Sequence, residues 1–461
     1  MAADLIVRGG TVVTVDGRRQ ADVAVAGGRI VDVEERLATD ADAREVDARG
    51  LLVLPGAIDV HTHTRLATDV EPDRFFHDSV AAAFGGTTTF LAFNNPGTGA
   101  ASSGSLTRDL RTWRAATEAD SAVDYALSLV ITADHDQAVA ELPAAIEAGV
   151  PTFKAFMVYD FGVSDAALYE SLAAAGRQGG MLQVHCENRT LLEANTRRLL
   201  AEGKKAPRYH AASRPPFVEA EGVHRAIRLA QAADAPLYIV HLSSAEALEQ
   251  VGWARARGLR VFAETCPHYL ALDDSRYELP DEEAARYVIS PPLRSARDRD
   301  ALWRGLTDGS LALVATDHVP DRAAVEKQTW RQSFDRISNG APGIETLLAV
   351  VYSQGVASGR ITVERMVDVL STTPARLFGL ERKGAIEVGR DGDLVLFDPS
   401  ERRTLHARDL HHTSDYTPYE GMAVAGGVVS VLVRGEFVVR DSHFVGRRGH
   451  GQFQERKLAW R

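Results

Sequence analysis

Apolar runs alternate with longer helix-like stretches along most of the chain. The strand candidates are Leu51–Asp59, Thr87–Phe93, Asp124–Ile131, Thr152–Phe156, Met181–His185, Pro236–His241, Arg260–Thr265 and Ala312–Asp317. Between them lie stretches rich in Ala, Leu, Arg and Glu. These are Ser79–Phe84, Ser105–Ala119, Asp136–Ala148, Asp165–Arg177, Val218–Ala233, Ala245–Ala256 and Arg297–Leu306. Eight strand-helix units over roughly 300 residues predict an α/β fold, a TIM-like (β/α)8 barrel. A doubly wound open sheet is the alternative. No GxGxxG follows the early strands, which disfavours its dinucleotide-binding form.

The chain ends have a different texture. Leu5–Arg8, Thr11–Val15, Val23–Val25 and Ile30–Val33 are short strand-like segments separated by Gly9-Gly10, Asp16-Gly17 and Gly27-Gly28. Ile386–Val388, Leu394–Phe397 and Val428–Val433 repeat the pattern near the C-terminus. Such segments with glycine turns predict strands and hairpins. The expected organisation is a small β-sandwich from 1–54 and 382–440, with the barrel, 55–381, inserted in it. A tail, 441–461, follows.

Composition narrows the function. The 461 residues carry a net charge of −11 and no dense basic block. That argues against nucleic acid or an acidic membrane surface as partner. No apolar stretch is long enough to span a bilayer, and the first residues lack the regions of a signal peptide. Cys186 and Cys266 form no CxxC and suit a reducing cytoplasm as small buried hydrophobes.

The chemistry lies at the strand ends. His61 and His63 end strand 1, and two histidines two apart on a strand share a face. Lys154 lies in strand 4, His185 ends strand 5, His241 ends strand 6 and Asp317 ends strand 8. Active sites of such barrels sit at the C-terminal ends of the strands, so these six converge on one mouth. Imidazole and carboxylate suit zinc or another borderline divalent ion. Six positions exceed one tetrahedral site and fit two ions about 3.5–4 Å apart. Burial lowers the pKa of a lysine in an apolar strand, and the neutral amine can take up CO2 as a carbamate. The competing reading is a Lys154 paired with a carboxylate.

Gly56-Ala57-Ile58-Asp59-Val60-His61-Thr62-His63 resembles the signature of the amidohydrolase superfamily. Phe153–Tyr159, Val184–Asn188, Val240–Ser244, Ser290–Arg294, Thr316–His318 and Asn339–Glu345 resemble its D-hydantoinase and dihydropyrimidinase branch. The likeness continues through His411–Tyr416 and Glu420–Met422, so it covers nearly the whole chain. The resemblance implies that His61, His63 and Asp317 hold one metal ion and His185 and His241 a second, with Lys154 as a carbamylated bridge. It places Tyr159 as hydroxyl donor to the carbonyl oxygen, and main-chain groups at Ser290 and Asn339 on the amide edge of the ring. Asp317 would shuttle the proton. The implied reaction is hydrolytic ring opening of a hydantoin or dihydropyrimidine to an N-carbamoyl amino acid by a hydroxide held between two zinc ions. The protein would be a cytoplasmic homotetramer whose tail reaches a neighbouring subunit. Val158–Val163 would form a lid over the site.

Arg65 departs from the pattern. HxHxR resembles dihydroorotase, where the arginine grips a substrate carboxylate as a fork, and Asn94-Asn95-Pro96 could echo that family's asparagine. Dihydroorotase or allantoinase activity is therefore the alternative, with Arg65 a substrate contact. A third reading is a metal-free binding protein like the collapsin response mediators; the intact ligand positions oppose it. His318 is expected to support the site and His268 to line the pocket. His411 and His412 would be structural or lie at a subunit contact.

Overall fold

The computed structural model describes residues 3–38, 42–94, 103–132 and 136–459. Asn95 and Pro96 lie outside them.

Both chain ends build one mostly antiparallel sheet. Its strands from the N-terminal side are β1 (Leu5–Thr14), β2 (Gly17–Ala26), β3 (Arg29–Glu34), β4 (Arg44–Asp47) and β5 (Leu52–Pro55). The barrel strands are β6 (Ala57–Thr62), β7 (Thr87–Phe93), β8 (Asp124–Val130), β9 (Thr152–Phe156), β10 (Met181–His185), β11 (Leu237–Ile239), β12 (Val261–Thr265) and β13 (Leu313–Val314). The C-terminal side returns to the first sheet with β14 (Leu394–Thr404), β15 (Ala423–Val433), β16 (Glu436–Arg440) and β17 (His443–Phe444). β5 is the seam of that sheet: it runs parallel to β1 and antiparallel to β14. Val7, Val23, Val53, Leu396 and Leu432 share its buried interior.

The run Leu51–Asp59 is therefore not one strand. Its first half belongs to the terminal sheet and its second half opens the barrel. Pro55 lacks the N–H to continue a ladder, and at Gly56 a Cβ would lie 2.0 Å from Thr88 Oγ1. The chain changes sheets at this pair.

In the barrel each strand pairs in parallel with the next, from β6 to β13. A parallel bridge between Thr62 and His318, with His63 N–H donating to His318 O at 2.7 Å, joins the last strand to the first. The helices that follow the strands start at side-chain caps. Ser105, Ser164, Asn188, Ser244 and Ser295 each accept a hydrogen bond from the backbone N–H three residues on. Asn188 and Ser244 stand three residues after His185 and His241, so these loops are short and keep both histidines at the rim.

The tail packs on its own barrel. Phe453 bridges to Tyr125, Arg456 N–H donates to Gly149 O, and the Arg456 guanidinium reaches Thr152 Oγ1 at 2.8 Å. Arg456 is buried there. No helix among the described residues is long and apolar enough to cross a membrane.

Candidate active site

The strand ends bring the six expected positions together. His61 and His63 both direct Nε2 at Asp317 Oδ1, at 3.1 Å each. The ring centroids of His61 and His241 are 5.3 Å apart, and those of His185 and His241 are 4.5 Å apart. Lys154 Nζ lies 3.2 Å from His61 Nε2. Among the described residues, donor atoms of His61, His241 and Asp317 lie within 4.8 Å of one another.

Three of these residues are not on strands. β6 stops at Thr62, β11 at Ile239 and β13 at Val314, so His63, His241 and Asp317 lie just beyond. The backbone explains the last two: φ is +39° at His241 and +51° at Asp317, and it is +69° at Tyr159. Residues other than glycine seldom adopt this left-handed region, and each costs of order 1–3 kcal/mol that the surroundings must offset. Hydrogen bonds from Thr316 N–H at 3.0 Å and Thr316 Oγ1 at 2.5 Å to Asp59 pin the chain beside Asp317.

Lys154 lies in β9. It is fully buried, and among the described residues no carboxylate lies within ion-pair distance of its Nζ. The rings of Phe93 and Phe156 flank it at 4.8 and 5.0 Å. Burial pushes the ammonium down to about 8, although Asp317 and Glu264 favour the charge. A neutral amine is thus accessible near physiological pH. Asp317 is shifted the other way: burial opposes ionisation, but the charge of His61 and hydrogen bonds from His61 and His63 hold the carboxyl well below its usual range.

Sequence reasoning missed the partners that orient the imidazoles. Glu264 on β12 accepts from His61 Nδ1 through Oε1 and from the Tyr238 hydroxyl through Oε2, at 2.7 Å for the latter. Spending Nδ1–H on Glu264 leaves Nε2 of His61 free for an electrophile. Glu187 does the same for His185, at 2.7 Å from Nε2, and is itself held by Arg214 at 2.5 Å. Burial alone would raise the Glu187 carboxyl, yet the Arg214 charge and the His185 hydrogen bond hold it down to about 2. His61 and Glu264 are 203 residues apart, so no local motif could reveal the pair.

The residues expected to meet substrate lie beside this cluster. A cavity of about 390 Å3 is lined by Tyr159, Asn339, His210, Arg214, Leu192 and Phe334. Tyr159 packs its ring 5.6 Å from His185 and stacks on Phe161 at 5.4 Å. Burial raises its phenol, which therefore stays protonated and able to donate. Ser290 is buried.

Arg65 departs from its expected role. Its two terminal nitrogens bind Asp321 Oδ1 at 2.5 Å and Glu326 Oε1 at 3.0 Å. Both arms of the fork are thus taken by the protein. Asn94 is likewise engaged, donating to Asp109 at 2.9 Å and accepting from Val130 N–H at 2.7 Å. His318 accepts from Gly343 N–H at 3.1 Å and supports the barrel closure. His268 is buried against Tyr269 and does not line the cavity; His411 pairs with Glu345 and stacks on Phe84. Cys186 donates to Val184 O, and burial raises its thiol.

The Amidohydrolase family pattern matches residues 52–438. A D-hydantoinase of Geobacillus stearothermophilus is 41% identical over 98% of this chain and 96% of its own length. The solved structure of a D-hydantoinase from a Bacillus species superposes with a TM-score of 0.93, at 43% identity over 99% of this chain and 100% of that one. A dihydropyrimidinase structure from Brevibacillus agri gives a TM-score of 0.94 at 40% identity, covering 99% of each chain. Dihydroorotase, allantoinase and a metal-free binding protein find no support in these likenesses.

Proposed function

From the premise that the chain belongs to the amidohydrolase family and is a cyclic amidohydrolase, we propose that it opens a hydantoin, a 5-substituted hydantoin or a dihydropyrimidine to the N-carbamoyl amino acid. We assign it two zinc ions: His61, His63 and Asp317 would hold one and His185 and His241 the other, and Lys154, as a carbamate, would complete the donor set. The observation that carries this reading is the buried Lys154 amine, with no carboxylate in ion-pair distance among the described residues, against His61. The donor set fits: four imidazoles and a carboxylate, with His61 and His185 already oriented through their other nitrogen.

The ions, when bound, supply water activated near neutral pH and polarise the ring carbonyl. The chain's own groups do the rest. Tyr159 donates its hydroxyl proton in a hydrogen bond to the carbonyl oxygen as charge develops there. Asp317 accepts the proton of the attacking water and delivers it to the ring nitrogen as the C–N bond breaks. Main-chain groups at Ser290 and Asn339 hold the amide edge, and Phe93 and Phe156 keep bulk water from Lys154. Arg65, paired twice within the protein, is left out of the substrate contacts. A cytoplasmic homotetramer completes the proposal, in keeping with two free, buried cysteines.

The test is a hydrolysis panel of dihydrouracil, hydantoin, 5-substituted hydantoins, dihydroorotate and allantoin, with metal analysis of protein purified without chelator. Turnover of the hydantoins or dihydrouracil with near two ions per chain is expected. Dominant dihydroorotate turnover overturns the reading. Reloading the metal-free protein with zinc, with and without bicarbonate, tests the carbamate: recovery that is indifferent to bicarbonate counts against it.

A further inference from the structure

Lys327 is buried, 1% exposed, and takes no part in the chemistry above. We propose that it is a positioning residue whose ammonium clamps the two backbone segments that present Ser290 and Asn339 to the substrate ring. This rests on the reading that those segments hold the amide edge.

Its Nζ donates to Val288 O at 2.9 Å, to Ser338 O at 2.6 Å and to Gly340 O at 2.6 Å. An ammonium has three N–H groups, and main-chain carbonyls take all of them. Two of those carbonyls flank Asn339 on either side, and the third lies two residues before Ser290. Carbonyl oxygens gathered around one point repel one another, and a cation among them offsets that repulsion. Gly340 N–H donates to Val288 O at 3.1 Å and the Tyr416 hydroxyl to Gly340 O at 3.1 Å, locking the same corner. From the cavity side His210 Nε2 lies 2.7 Å from Ile289 O. The Val288–Ser290 segment is therefore gripped from both sides, while Asn339 faces the cavity that Tyr159 lines.

The clamp is also tied to the histidine pair. Asp321 Oδ2 stands 3.7 Å from the Lys327 Nζ, and its Oδ1 accepts from Arg65, two residues after His63. A line of alternating charge thus runs from the strand end carrying His61 and His63 to the backbone around Ser290 and Asn339. This gives Arg65 a role that does not require it to touch substrate.

The experiment compares kcat and KM separately for the best cyclic substrate in the wild type, Lys327→Gln and Lys327→Arg, together with metal content and melting midpoint. Loss of hydrogen bonds to a charged group predicts a KM raised about tenfold or more in Lys327→Gln. The fall in kcat is expected to be smaller, with two ions per chain retained. Lys327→Arg restores the cation with a planar donor set and should lie between. A folded, fully metallated Lys327→Gln protein with KM within about twofold of wild type overturns the proposal. If Lys327→Gln does not fold, the arginine variant decides: a raised KM at normal metal content supports the clamp, and an unchanged KM overturns it. A wild type that opens no cyclic amide brings down the functional reading itself, recognisable because the unmutated protein is then inactive.

Discussion

Lys154 and Lys383 are both buried lysines, 0% and 3% exposed, at two ends of the barrel. Lys383 meets three carboxylates: Asp124 at 2.5 Å, Asp393 at 2.7 Å and Asp391 at 3.0 Å. Burial disfavours its charge, but Asp393, Asp124 and Asp391 outweigh it and raise the ammonium above its ordinary value. Asp124 begins β8, and it also accepts from Arg434 and from Gln452 N–H. The cluster therefore joins the floor of the barrel, the terminal sheet and the tail. Lys154, at the opposite rim, has imidazole and phenyl neighbours and is pushed down to about 8. At the same burial, carboxylates compensate the charge of Lys383 and leave that of Lys154 without such support. Left-handed residues stand at both ends: Tyr159, His241 and Asp317 at the rim and Arg434 beside Asp124. The two ends differ in how their lysine charge is compensated, not in backbone strain.

The largest effect that tests this contrast is Lys154→Met, expected to abolish turnover and to reduce bound metal without lowering the melting midpoint. A midpoint drop as large as that of a Lys383 variant would break the comparison. Lys383→Met takes the shared cation from Asp391 and Asp393 and leaves Asp124 with Arg434 alone. The expected loss is about 3–5 kcal/mol of stability in denaturant titration, with turnover per folded molecule retained. Full stability in that variant would show that the cluster is not the junction described here.

Glu264→Gln is a smaller perturbation. It is expected to weaken metal binding by about 10–100-fold, measured by competition with a chelator, through loss of the His61 Nδ1 contact. Wild-type affinity would mean that His61 needs no such orientation. The mildest effect is pH-dependent. The folded-state value of Glu187, about 2, lies below its ordinary 4.5, so its stabilisation is complete above 4.5 and fades as pH falls toward 2. Acid unfolding of Glu187→Gln should show less pH dependence across that window. An identical profile would remove Glu187 from the set of coupled groups.

Several elements were legible residue for residue. Thr87–Phe93, Thr152–Phe156 and Met181–His185 are strands with the expected bounds, because a strand buried on both faces reads as a continuous apolar run. The helix Arg189–Ala201 was not, because it buries only Leu199 and offers no apolar stripe to find. Its cap, Asn188, follows the His185 loop directly.

The chain alone determined the barrel and the six residues that gather at its mouth, since strand ends repeat at regular intervals and carry ligand-type side chains. Only the tertiary structure decided what state those side chains are in. Whether a buried lysine is an amine or an ion, which imidazole nitrogen is free, and whether Arg65 is open to a ligand all depend on partners brought from far along the chain. Electrostatics acts through space, between groups such as His61 and Glu264 or Arg65 and Asp321 that no local pattern connects.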